Sequence, residues 1–146
     1  MLYRDDGPLS AKIIVIGEAL GETEERTGLP FQGTSGWKLN EWMSLAGVQR
    51  QDVFVTNVVC RRPEKNDMRK VPSGELDEWI SRLHEKLSTL SDPFVLVPTG
   101  NVALRALTRA KDTITQARGF IQTYTDVNSR VIKVIPVIHP AATFRM

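Results

Sequence analysis

Lys12-Ile13-Ile14-Val15-Ile16-Gly17-Glu18-Ala19-Leu20-Gly21 is the stretch on which the reading of the fold turns. Residues 12–17 are nearly all apolar and β-branched, the composition of a strand buried on both faces, and such strands belong to parallel sheets covered by helices. Gly17 to Gly21 then form a turn-prone segment leading into a polar loop. Working outward, Asp52–Val59 (DVFVTNVV) and Phe94–Pro98 (FVLVP) repeat the buried-strand pattern. A helix is predicted over Ser35–Ala46, because Leu39, Trp42, Met43 and Ala46 fall at i, i+3, i+4 and i+7, with Thr34 or Ser35 as its cap and Gly47 as its end. Glu75–Leu90 is strongly amphipathic, carrying Leu76, Trp79, Ile80, Leu83, Leu87 and Leu90 on one face. Asn101–Arg109 is a third helix after the Thr99-Gly100 turn. Gly119–Thr125 and Val131–Ile138 read as strands around a hairpin-like turn at Asp126–Arg130. Strands joined by helices predict an α/β protein, three layers α/β/α around a central, mostly parallel sheet. The expectation is one domain over residues 1–146, with 1–11 as an N-terminal extension.

Composition narrows the class. The chain has 146 residues, 41% hydrophobic and 25% charged, enough for one ordinary core and unlike a disordered protein. No apolar run has the length to cross a bilayer, and the polar start with Asp5 and Asp6 is no signal peptide. A soluble, cytoplasmic protein is expected. The single cysteine, Cys60, cannot form an internal disulfide, nor hold a zinc or iron–sulfur site by itself. Residues 1–57 hold five Lys/Arg against eight Asp/Glu, and residues 58–146 fourteen against nine. The basic excess is densest at Arg61, Arg62, Lys65, Arg69 and Lys70, which suits either a phosphate footprint or a solvated loop.

In parallel sheets ligands sit at the carboxyl ends of the strands, so the residues after each strand are the candidates. Glu18 lies between glycines whose backbone can approach a ligand and offer amide donors, although a simple turn explains them equally. The Rossmann and P-loop glycine patterns are absent. Thr34, Ser35 and Gly36 open a helix, where free amides seat an anion or a hydroxyl merely caps. Phe31, in Gly28-Leu29-Pro30-Phe31-Gln32-Gly33, stacks on a planar ligand or plugs the core. Asn57, inside an apolar strand, reads a donor–acceptor edge as amides do with nucleobases, or bonds neighbouring backbone. His139, before Pro140, is placed to hydrogen-bond charge on a leaving group or is structural. His84 is read as structural outright. Nothing suggests a flavin, nicotinamide or metal site.

Together these segments resemble the uracil-DNA glycosylase superfamily, and its iron–sulfur (family 4) branch most closely. Gly17-Glu18-Ala19-Leu20-Gly21 is similar to that branch's Gly-Glu-Ala-Pro-Gly. Gly28-Leu29-Pro30-Phe31-Gln32-Gly33 resembles its Gly-x-Pro-Phe-Val-Gly, and Val55-Thr56-Asn57-Val58-Val59 its uracil-reading strand. Arg118-Gly119 matches an Arg-Gly pair, and His139-Pro140-Ala141-Ala142-Thr143-Phe144-Arg145 resembles its His-Pro-Ala-Ala-Leu-Leu-Arg. The order and spacing hold from about Ile13 to Arg145. The resemblance implies a monofunctional glycosylase, expected to be monomeric, that hydrolyses the N-glycosidic bond of uracil in single- or double-stranded DNA during base excision repair, after flipping the base into a pocket. It implies stacking by Phe31, reading by Asn57, stabilisation of departing uracil by His139, and a water held by Glu18 and the Ala19 backbone, with Gly21 facing the base. DNA contacts would come from Thr34, Ser35, Gly36, Arg61, Arg62, Thr143, Phe144 and Arg145.

Departures from the pattern qualify this. Leu20 replaces the motif's proline and is expected to loosen its loop. Thr143 stands where the family offers a leucine wedge, leaving Phe144 as wedge or as core. The branch ligates a four-iron cluster with four cysteines; here the N-terminal pair is absent, Cys60 lies one position before the strand-end cysteine, where Arg61 stands, and Trp79 takes the later one. No cofactor is therefore expected, with packing around Trp79 in the cluster's place. The end at Met146 fits a compact member of bacterial or phage type, or a domain cut from a longer protein. Two other functions stay open: a non-enzymatic DNA- or partner-binding module, as in a replication protein, and a glycosylase for another base.

Overall fold

The computed structural model describes residues 2–108 and 113–145, with the backbone alone at Arg145. Five strands, β1 (Ile13–Ala19), β2 (Phe54–Val59), β3 (Val95–Pro98), β4 (Gln122–Thr125) and β5 (Val131–Val134), form one sheet in the order β2-β1-β3-β5-β4. The three pairings among β2, β1, β3 and β5 are parallel, and β4 joins antiparallel to β5. The mostly parallel α/β architecture read from the sequence is the one observed.

Among the described residues, five helices join the strands: α1 (Glu22–Thr27), α2 (Thr34–Leu45), α3 (Ser73–Ser88), α4 (Asn101–Leu107) and α5 (Ile114–Ala117). Strand alternation sends side chains to two cores. Ile14, Ile16, Phe54 and Val58 meet Leu83 and Leu87 of α3 and Ala103 of α4 on one face. Val15, Val53 and Val55 meet Leu39 and Met43 of α2, and Phe31, on the other. Helices thus cover both faces, as buried parallel strands require.

Several local expectations need correction. The polar segment after Gly21 is a helix, α1, because the Glu24 carboxylate receives the Gly21 N–H at 3.0 Å and closes its first turn. Helix α2 is capped by Gly33 with no side-chain cap, so Thr34 and Ser35 stand inside the first turn. Strand β4 begins at Gln122, after a turn at Gly119 with φ +83°, and β5 ends at Val134. Beyond it only Val137 keeps a bridge, to Thr99. The Asp126–Arg130 turn is present, closed by Asp126 N–H to the Arg130 carbonyl at 2.9 Å. His84 is structural, its Nε2 2.6 Å from the Ala106 carbonyl oxygen. Arg109, the expected end of α4, lies outside the described residues.

Candidate active site

Parallel pairing of β1 with β2 sets the centre of the site. Gly17 lies opposite Asn57 in the register, and a Cβ on Gly17 would stand 2.3 Å from Asn57 Oδ1 and 2.7 Å from the Phe31 ring. Only glycine permits that convergence, and it does so through space rather than φ. Asn57 is 3% exposed and Phe31 5%. The two alternatives for Phe31 therefore coincide: the ring belongs to the α2-side core and also lines a cleft.

That cleft, of about 330 Å³, opens at the carboxyl ends of β1 and β2. Its walls include Glu18, Ala19, Gly21, Phe31, Asn57 and His139, six candidates that 121 residues of sequence separate at the extremes and the fold brings together. His139 arrives because Thr99 N–H bonds the Ile16 carbonyl at 2.9 Å and Gly100 N–H the Val137 carbonyl at 3.0 Å, which fastens the segment after β5 to the end of β3 and that end to β1. Its ring stacks on Phe31 at 5.7 Å between centroids and 24° between planes. The Ala141 N–H donates to His139 Nδ1 at 3.0 Å. That bond assigns Nδ1 as acceptor, so a neutral imidazole carries its proton on Nε2.

Sequence reasoning missed Glu24. Its Oε1 accepts the Gly21 N–H at 3.0 Å, while Oε2 accepts the Gln32 and Gly33 amides at 2.8 and 2.9 Å. One carboxylate ties the Glu18–Gly21 wall to the Phe31 wall. The signal was present: a glutamate three residues after Gly21 is capping-box spacing. Leu20, expected to loosen its loop, is buried and donates its N–H to the Arg61 carbonyl at 3.3 Å, a bond proline cannot make.

The other DNA-contact candidates divide. Ser35 lines the cleft, Thr34 is exposed at the start of α2, and Gly36 is buried, its absent Cβ leaving room for the Phe31 carbonyl oxygen 1.9 Å from that point. Phe144 is exposed, and Thr143 Oγ1 donates to the Pro140 carbonyl at 2.7 Å. The side chain of Arg145 lies outside the described residues. Arg61 makes a two-pronged pair with Glu75 at 2.5 and 3.0 Å, Arg62 approaches Glu25 at 3.6 Å, and Arg69 pairs with Asp67 at 3.0 Å. The basic cluster is therefore largely knitted to nearby carboxylates.

Behind β2, on the α3 side, lies a second cavity of about 240 Å³ lined by Tyr3, Asp5, Cys60, Trp79 and Lys86, among others. Lys86 Nζ is 2.9 Å from Asp5 Oδ2, donates to Thr56 Oγ1 at 3.1 Å and stands 3.6 Å from Cys60 Sγ. Burial, partly opposed by the Lys86 charge, pushes the Cys60 thiol up and keeps it protonated. Burial likewise raises the Tyr3 phenol and keeps it neutral. Among the described residues, no group of three or more His, Cys, Asp or Glu is placed to hold a metal, and no helix is long and apolar enough to cross a membrane.

Comparison with known proteins gives the family. The chain is 33% identical over 141 residues to the type-4 uracil-DNA glycosylase of Thermotoga maritima, covering 96% of this chain and 70% of that protein. Against the type-4 uracil-DNA glycosylase of Archaeoglobus fulgidus it is 32% identical, covering 93% of this chain and 68% of that one. It is also 28% identical to a DNA polymerase of Bacillus phage SP01, where the match takes 94% of this chain but 14% of the polymerase. The family model described as the uracil DNA glycosylase superfamily matches residues 4–146, and on that match the chain belongs to the uracil DNA glycosylase superfamily.

Proposed function

We propose that the chain is a monofunctional uracil-DNA glycosylase that hydrolyses the bond between uracil N1 and deoxyribose C1′ in DNA. The observation that carries this is the convergence of Phe31, Asn57 and His139 on one cleft through the Gly17 gap. A base cannot be reached there while stacked in a duplex, so the nucleotide flips out, at a cost of about a few kcal/mol. Phe31 supplies a flat apolar face for the uracil ring. The Asn57 amide offers one acceptor and donor hydrogens, which complement the N3–H and O4 of uracil and mismatch the reversed pattern of cytosine. As C1′–N1 breaks, the electron pair goes to uracil, and His139 Nε2–H donates to the developing anion at O2. Water adds to C1′, and the proton it loses is taken up through solvent by the uracil anion, which leaves neutral uracil and an abasic site. Glu18 and the Ala19 backbone hold that water, the carboxylate offsetting the oxocarbenium charge.

The residues in the place of the family-4 cluster do not suit one. Cys60 is the chain's single cysteine, its thiol is held protonated, and an ammonium rather than further thiolates faces it. No step of the reaction runs through that place.

Incubation with single- and double-stranded uracil-containing oligonucleotides, followed by alkali, tests the reading. Strand breaks at uracil are expected; intact strands with DNA binding retained would overturn it. The match to part of a phage DNA polymerase favours the second reading, a non-catalytic DNA- or partner-binding module of a replication protein, and that second outcome is the one it requires.

A further inference from the structure

Phe31 holds an unusual backbone conformation. Its φ is +52°, in the left-handed region that non-glycine residues rarely enter and that persists only where the surroundings over-determine it. Arg50, at the 3₁₀ turn Arg50–Asp52 that leads into β2, does the determining. Its Nη1 donates to the Phe31 carbonyl at 3.0 Å and its Nη2 to the Pro30 carbonyl at 2.6 Å, so one planar fork fixes two successive peptide planes. The guanidinium is itself held. Asn40 Oδ1 accepts from Nη1 at 3.0 Å, and Asp6 Oδ2 lies 3.5 Å from Nη2. Asp6 in turn exchanges two backbone hydrogen bonds with Val55 of β2, at 3.1 and 2.7 Å. Residue 6 therefore ties the N-terminal segment, expected to be a mere extension, to the strand that carries Asn57.

We propose that Arg50, anchored by Asp6, is a positioning residue that sets the plane of the Phe31 ring relative to Asn57 and His139. It touches no substrate and acts only through the Phe31 turn. The proposal rests on the glycosylase reading for its kinetic test and stands apart from it for its spectroscopic one.

Arg50→Lys keeps the charge but loses the fork. In the wild-type background it is expected to lower kcat/KM on uracil oligonucleotides by about a hundredfold, the scale of an ångström-sized misplacement. In a Phe31→Ala background the same change is expected to cost less than about twofold, since the ring it positions is gone. Equal losses in both backgrounds, or full activity in the first, would overturn the proposal. Should the wild-type protein cleave nothing, the glycosylase reading fails, and NMR still decides the positioning role. The Phe31 ring current at the His139 ring protons is expected to shift toward its Phe31→Ala value in Arg50→Lys, and an unmoved resonance would overturn the role. Asp6→Asn serves if Arg50→Lys does not fold: its activity and its His139 resonances are expected to move the same way by a smaller amount, and no movement counts against the proposal.

Discussion

Asn57 and Thr56 are neighbours on β2 that face opposite ways, and the two sides of the strand are built differently. On the Asn57 side an aromatic ring, an imidazole and a missing Cβ surround an open cleft, and the Tyr3 phenol also reaches the Asn57 side chain. On the Thr56 side the partners are charged: Asp5 Oδ1 accepts from Thr56 Oγ1 at 2.6 Å and from the Tyr3 hydroxyl at 3.1 Å, with Lys86 closing the group. One side aims its polar group into an open cleft, and the other sets an ion pair against the strand beside the second cavity. Mutations should separate the two sides cleanly, the first losing chemistry and the second losing stability.

The largest effect is expected on the reading side. Asn57→Ala and His139→Ala should each lower turnover on uracil oligonucleotides by about 10²–10³-fold, the loss seen when one donor to a developing anion or its equivalent is removed. Melting temperatures should stay near wild type. Full activity in either variant would break the assignment of that residue, and a collapse of melting would show that the reading side also carries the fold.

Gly17→Ala should come next. The added methyl would meet Asn57 Oδ1 and the Phe31 ring at distances no Cβ tolerates, and both side chains would have to move. Overpacking of this kind costs about 1–3 kcal/mol, and displacement of two site residues at once should lower kcat/KM by at least about tenfold. Normal kinetics would mean that the Gly17 gap is not what lets the two residues converge.

The same contrast explains what the sequence disclosed. The reading side was legible because Gly17–Gly21 and His139 fall just after apolar runs, because Asn57 is a polar residue inside one, and because strand ends are where parallel sheets place ligands. Helix α3 was legible because its apolar face has a sharp 3.6-residue period. Helix α1 was not, since its six residues bury none of their side chains and its first turn depends on one glutamate. The Thr56 side was invisible, because Asp5, Thr56 and Lys86 are brought together from three distant segments and each alone is an ordinary polar residue. Arg50 was hidden for the same reason: its acceptors are carbonyls 19 and 20 residues away.

Lys86→Met tests the opposite side. It leaves Asp5 facing Thr56 with no counter-charge, and removal of one partner from a fully buried pair costs about 3–5 kcal/mol. Here the side chains are 25% and 21% exposed, so solvent screening reduces the expectation to about 1–3 kcal/mol. Urea unfolding should show that loss, and the Asp5→Asn, Lys86→Met double variant should recover part of it. Activity per folded molecule should fall far less than in Asn57→Ala. An equal fall would mean that the charged side works on catalysis as directly as the reading side.

The smallest effect belongs to the end of β2, where Arg61 and Glu75 fasten the strand's exit to α3. The Arg61 hydrogen bonds, with a further one from Trp79 Nε1 at 2.9 Å, hold the Glu75 carboxyl down to about 2 from an ordinary 4.5. A carboxyl lowered by folding stabilises the folded state fully above its unfolded pKa, and the contribution is lost as pH falls through the folded one. The difference in melting temperature between wild type and Glu75→Gln should therefore be constant at neutral pH, shrink below about 4.5 and vanish near 2. Because the pair is exposed, the neutral-pH difference should be small. A difference that persists at pH 2 would mean that Glu75 acts through packing against Trp79 rather than through its charge. A difference absent at pH 7 would make the Arg61 pair idle, leaving that guanidinium available to a DNA phosphate without cost to the fold.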